Sequence, residues 1–235
     1  MSVLEWQEAP ACVRRVSSFA ELARAEFSGG VNALCWPRVL PGDYAEIVRL
    51  LPVAEGIHSI SGDQLRALPL SPAGAVAREV ILADLAALRD LELDPVLDCI
   101  RGFQRDARGG PVLTDVYSWH ADSATAPADT WLCTYYGACS EAIAGEDALR
   151  LVDVPEVRAA LLQTWGGADD ADFAEYLNDH CYDLHYQLQP GARPYAFGTG
   201  NLWRIAVEWD GCPVPPCIHR APMAPPEEPR LLLLS

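Results

Sequence analysis

The sequence predicts an α+β fold, a mainly helical first half packed on a β-rich second half. Three observations carry this: helical apolar spacing and caps over residues 1–110, a run of short strand-like segments from 111 onward, and an acidic helical stretch at 141–180 that interrupts them. At 235 residues the chain fits one domain, 1–235, with its own core.

The helical half is read in order. Ser17-Ser18 before Phe19-Ala20-Glu21 signals a helix start running to about Phe27, and Gly29-Gly30 ends it. Val31–Trp36 is a short apolar strand stopped by Pro37. Gly42–Leu51 spaces Tyr44, Ile47, Val48 and Leu51 helically, and Ala73–Leu91 does so with Val76, Val80, Leu85 and Leu88. Asp94-Pro95 reads as a cap followed by proline at the first helical position, restarting a helix to about Arg108.

After Gly109-Gly110, strands are predicted at Val112–Asp122, Thr130–Tyr136, Tyr182–Leu188, Tyr195–Phe197, Asn201–Trp209 and Arg230–Leu234, with a weaker one at Val214–His219. Prolines crowd the last 25 residues and mark rigid turns.

Composition narrows the function. Half of the residues are apolar, which excludes intrinsic disorder. Seventeen basic residues, all arginine, stand against 33 acidic ones, for a net charge of −16. Such a chain is repelled by phosphate backbones and anionic lipid, so neither nucleic acid nor membrane is an expected partner. No apolar run approaches a membrane span, and MSVLEWQEAP lacks the pattern of a signal peptide, so a cytoplasmic protein is expected. Eight cysteines in that compartment read as reduced thiols or ligands. Their spacing shows no tight paired zinc signature. No glycine-rich phosphate loop or serine-nucleophile elbow occurs.

Chemistry concentrates at Trp119-His120-Ala121-Asp122. On a strand, His120 and Asp122 project to one face and can chelate one ion; on a helix they cannot. Far downstream, His219 ends a β-like run, and Arg230 opens the last strand. His-x-Asp, then a distant His, is the layout of the 2-His-1-carboxylate triad, which holds Fe(II) on one face and leaves positions open for co-substrate and O₂. The forked guanidinium of Arg230 suits the far carboxylate of 2-oxoglutarate.

This layout resembles the double-stranded β-helix (jelly-roll, cupin-like) of the Fe(II)/2-oxoglutarate-dependent oxygenases. Val31–Trp36, Trp119–Asp122, Leu132–Gly137, His219–Pro222 and Pro229–Leu232 together resemble a bacterial family known as domain of unknown function 1826. That similarity spans about residues 31–234 and carries no activity of its own. The oxygenase resemblance implies a dioxygenase that binds Fe(II) at His120, Asp122 and His219 and takes 2-oxoglutarate and O₂. It would hydroxylate or desaturate a small-molecule or amino-acid-like substrate. Since Asp122 is a carboxylate, halogenation is disfavoured. The 99-position separation of the two histidines requires 141–180 to be an insertion.

Other residues stay open at this level. Cys133 and Tyr135 share a strand face expected to line the barrel, where Tyr135 would bind the oxoacid; the alternative is an ordinary strand aromatic. Cys217 shares a face with His219, Arg220 points the other way and reads as structural, and Asn201, Trp203 and Ile205 lie on a strand that either faces the co-substrate or packs in the core. His180, Asp183 and His185 form a rival metal cluster, and His58 reads as a surface loop residue. A non-catalytic metal-homeostasis protein using the same three ligands for zinc is the alternative function.

Overall fold

The computed structural model describes residues 9–102, 105 and 110–235. In chain order the first half contains β1 (Val13–Arg15), α1 (Phe19–Arg24), β2 (Ala33–Trp36), α2 (Tyr44–Leu50), β3 (Gly56–Ser59), α3 (Gly62–Ala67), α4 (Pro72–Arg89) and β4 (Val96–Arg101). The second half contains β5 (Trp119–His120), β6 (Asp129–Tyr136), β7 (Glu141–Ile143), β8 (Ala148–Arg150), α5 (Pro155–Trp165), α6 (Ala171–Asp179), β9 (His185–Leu188), β10 (Tyr195–Ala196), β11 (Leu202–Ala206), β12 (Ile218–Arg220) and β13 (Arg230–Leu234).

The α+β expectation holds, with the strands in two sheets. A seven-stranded sheet runs β1-β2-β11-β6-β13-β4-β3, and a six-stranded sheet runs β10-β7-β12-β5-β9-β8. Helices α1–α4 cover one face of the large sheet. There Ile47, Leu65, Ile81, Leu85 and Leu88 pack on Leu34, Trp131, Cys133, Tyr135, Leu231 and Leu233. The alternate residues of the same strands, Ala33, Cys35, Leu132, Trp203, Ile205 and Leu232, turn the other way and meet Ala142, Tyr195 and Cys217 of the small-sheet side. The order is therefore helices, large sheet, small sheet.

Local chemistry sets the helix starts. Ser18 caps α1 by accepting from the Glu21 amide, Asp43 caps α2, Ser61 and Gln64 form a reciprocal capping box on α3, and Ser71 with Pro72 opens α4. At the other end of α1, Arg204 of β11 donates to the carbonyls of Leu22, Ala23 and Ala25.

Several expectations are corrected. The first half is not merely a helical layer, since β1–β4 all enter the large sheet. Asp94-Pro95 opens a strand, not a helix: residues 96–101 pair with both β13 and β3. The rest of that expected helix, at 103–104 and 106–108, lies outside the described residues, as do residues 1–8. On α4 the buried line is Ala77, Ile81, Leu85 and Leu88, while Val76 is exposed. The stretch before β5 is turn, because the Asp115 carboxylate accepts from the amides of Tyr117 and Ser118 and competes with strand pairing. The 141–180 segment is not wholly helical. It begins with β7 and β8, and the excursion that carries α5 and α6 returns as β9. That excursion has a core of its own around Leu161, Phe173 and Leu177.

A polar knot lies within the helix–sheet layer. Arg38 donates to Asp84 Oδ1 at 2.7 Å, and the Tyr135 hydroxyl donates to Asp84 Oδ2 at 2.7 Å, all three side chains being buried. Asp84→Ala leaves the buried Arg38 cation without its partner and should cost about 3–5 kcal/mol of stability. Tyr135→Phe should cost only about 1 kcal/mol. Urea unfolding of the two variants checks the ranking.

Candidate metal centre

β5 is only two residues long, yet it is paired on both sides. His120 is in register with His219 of β12 on one side and with His185 of β9 on the other. Directly opposed residues share a face, so the sheet presents a row of three imidazoles. The rings of His120 and His219 lie 4.5 Å apart, centroid to centroid, and those of His120 and His185 5.9 Å.

On the outer face, Trp119, Ile143 and Ile218 pack together. Arg220 lies over the Trp119 ring and pairs with Glu141 of β7 at 2.9 Å, the outward structural role its strand position predicts. This ridge holds β7, β12 and β5 in register.

Asp122 follows β5 and turns to the same site. Its Oδ1 is 3.7 Å from His120 Nε2, and its Oδ2 is 3.8 Å from His219 Nε2. Among the described residues, His120, Asp122 and His219 form the one group whose ligand atoms all lie within 4.8 Å of one another. Two ligands each about 2.1 Å from one ion stand roughly 3–4 Å apart, so the set fits a single first-row cation. Both imidazoles are oriented for this. His120 Nδ1 donates to the Ser118 carbonyl at 2.8 Å and His219 Nδ1 to the Cys217 carbonyl at 3.2 Å, leaving each Nε2 lone pair free. Thr130, at the start of β6, donates to Asp122 Oδ2 at 2.6 Å and ties the carboxylate to the large sheet. The Asp122 side chain remains 34% exposed, so the site has an open flank.

Burial, then the neighbouring His219, pushes His120 down to about 4. For Asp122 burial acts upward, but His219, the Thr130 hydroxyl and His120 outweigh it and hold the carboxyl below its ordinary range. Near neutrality His120 is a neutral imidazole and Asp122 a carboxylate, the protonation states a divalent cation needs.

Arg230 points toward the inter-sheet side with Leu232, because residues two apart on β13 share a face. It is 3% exposed, its Nε donates to the Ala138 carbonyl at 2.6 Å, and its Nη2 donates to Ser140 Oγ at 3.3 Å. Among the described residues no carboxylate pairs with it, and burial lowers its guanidinium to about 10. Gly137, at φ +85°, makes this approach possible, since a Cβ there would lie 2.4 Å from the Pro229 carbonyl oxygen.

Tyr135 is a correction. It turns to the helical layer, donating to Asp84 and stacking on Tyr44, on the opposite side of the sheet from Leu132. Cys133 goes with it, 3.3 Å from an Arg38 nitrogen. The tyrosine within electrostatic range of Arg230 is Tyr117. Trp203 and Ile205 are core, and Asn201 donates to the Phe197 carbonyl. Cys217 packs in the inter-sheet core. The rival cluster does not assemble: His180 is exposed on the Tyr176 carbonyl, whereas His185 joins the row beside His120. His58 lies half-buried on β3, not in a loop.

Comparison with protein-family models, curated proteins and solved structures returns no match for this chain.

Metal-free protein should lose stability on acidification. The unfolded chain protonates at His120's ordinary value of 6.5, whereas folded His120 stays neutral to about 4. Stability therefore falls as pH drops from 6.5 to 4, and Asp122 adds to the loss only below that window. Melting temperatures with chelator present should show this slope, and His120→Asn should reduce it, leaving the part that buried His185 contributes.

Proposed function

We propose that the chain is a non-haem Fe(II)- and 2-oxoglutarate-dependent oxygenase acting on a small molecule. The observation that carries the reading is the meeting of His120, Asp122 and His219 within 4.8 Å on one open-flanked face. Two imidazoles and one carboxylate on one side of an ion leave its other positions for small ligands. Ferrous iron held there would supply O₂ activation coupled to oxidative decarboxylation of the oxoacid.

The remaining work falls to the chain. The Ser118 and Cys217 carbonyls fix the two imidazole tautomers, and Thr130 fixes the carboxylate. Arg230 supplies a buried positive charge that lacks an anion among the described residues. A buried unpaired charge is costly, and a ligand carboxylate received in forked geometry would relieve it.

The strand order supports a double-stranded β-helix. Strands β4, β6, β11 and β13 lie in the large sheet and β5, β7, β10 and β12 in the small one. Within each sheet they form an uninterrupted antiparallel block, β4-β13-β6-β11 and β10-β7-β12-β5. Such interleaving of eight strands is that of a jelly roll. The excursion with β8, α5, α6 and β9 falls between its fourth and fifth strands.

Anaerobic dialysis should load one Fe(II) per chain, and His120→Ala and His219→Ala should abolish loading. Adding 2-oxoglutarate to the loaded protein should raise its melting temperature, and Arg230→Gln should weaken that response roughly tenfold in concentration. In air, succinate should appear. Stoichiometric zinc binding with no oxoacid response would instead favour the metal-homeostasis function, and no stoichiometric metal would overturn both.

A further inference from the structure

His185 comes from outside the interleaved eight strands. After β7 the chain forms β8 at the edge of the small sheet, builds α5 and α6 over their own core, and returns as β9 between β5 and β8. The return places His185 directly opposite His120, as His219 is on the other side. His185 is 4% exposed, and its Nδ1 donates to the Cys181 carbonyl at 2.7 Å. Cys181 is held in the left-handed region at φ +56°, unusual for a residue other than glycine.

With Nδ1 as donor, the neutral ring has only a lone pair at Nε2. His120 and His219 are anchored in the same way, and their Nε2 atoms turn to Asp122. The His185 Nε2 is buried and, among the described residues, has no hydrogen-bond partner. A buried acceptor left unmade is rare, and an apolar side chain would fill the same space at no such cost.

We propose that His185 is a positioning residue whose Nε2 accepts a hydrogen bond from an O–H group on a ligand bound at the adjacent cation. This deepens the proposed function and rests on its metal centre. The shared chemistry is a hydroxyl, borne either by a metal-bound water or by an alcohol of the organic substrate.

The test uses full-length protein loaded with Co(II), whose visible spectrum reports the ligands, with lactate and pyruvate as probes. The two acids chelate alike but differ in one hydroxyl. His185→Phe should lower lactate affinity roughly tenfold with pyruvate unchanged, and His185→Gln, which keeps an acceptor, should restore part of it. A change in the Co(II) spectrum of His185→Phe without any probe would identify bound water as the donor; an unchanged one, with lactate affinity lost, would identify the organic hydroxyl. Equal probe affinities in wild type and both variants, with an unchanged Co(II) spectrum, overturn the proposal. So does loss of Co(II) from both His185 variants, which would make His185 a ligand. Failure of wild-type protein to bind Co(II) removes the metal reading itself, and this one with it. Should His185→Phe fail to fold, His185→Gln against wild type still carries the comparison, with a smaller drop in lactate preference expected.

Discussion

Everything at the site hangs on the register of a two-residue strand. β5 places His120 between His219 and His185, and a slip of one residue would send the imidazole to the outer face and bring Trp119 inward. A strand so short gains little from its own hydrogen bonds. Its register is enforced from outside, by Trp119 packed on Ile143 and Ile218 under the Arg220 guanidinium, and by the Arg220–Glu141 pair fixing β12 against β7. The polar outer ridge and the ligand face are thus two sides of one device, and substitutions at Glu141 or Arg220 act on the metal face through register, not through contact.

The second constraint is that the large sheet has no wet face. Its central strands bury one set of side chains against helices and the other against the small sheet. Charges placed there need partners, and two solutions coexist. Arg38 is answered by Asp84 and tied to Tyr135 on the helical side. On the inter-sheet side Arg230 has only a carbonyl and a hydroxyl. The first is a closed structural knot. The second leaves a buried positive charge with no carboxylate partner among the described residues.

This arrangement explains what the sequence could and could not convey. Strong local signals were legible: α4 from the apolar spacing of Ala73–Leu91, β6, β13, and the His-x-Asp pair whose strand geometry puts both groups on one side. The side of the sheet that Tyr135 occupies was not. β6 is buried on both faces, so period two separates Tyr135 from Thr134 without saying which meets the metal face. β4 is hidden in the sequence because Asp-Pro starts a strand as readily as a helix, and only pairing with β13 and β3 decides. The three-residue β7 and β8 are too short to show a period at all.

His185 shows the same limit at the site itself. In sequence it sits with His180 and Asp183, and proximity suggested a cluster of those three. The fold separates them, because the turn at Cys181 lets α6 end with His180 outward while β9 begins with His185 against β5. Sixty-five positions separate His120 from His185 and 34 separate His185 from His219, and no local pattern links such distances. What links them is the antiparallel ladder, which matches residues one by one across three strands. A site built by ladder register collects its chemistry from wherever the strands come. An excursion that returns a strand to the sheet can therefore bring a further side chain beside the candidate ligands without changing the strands that carry them.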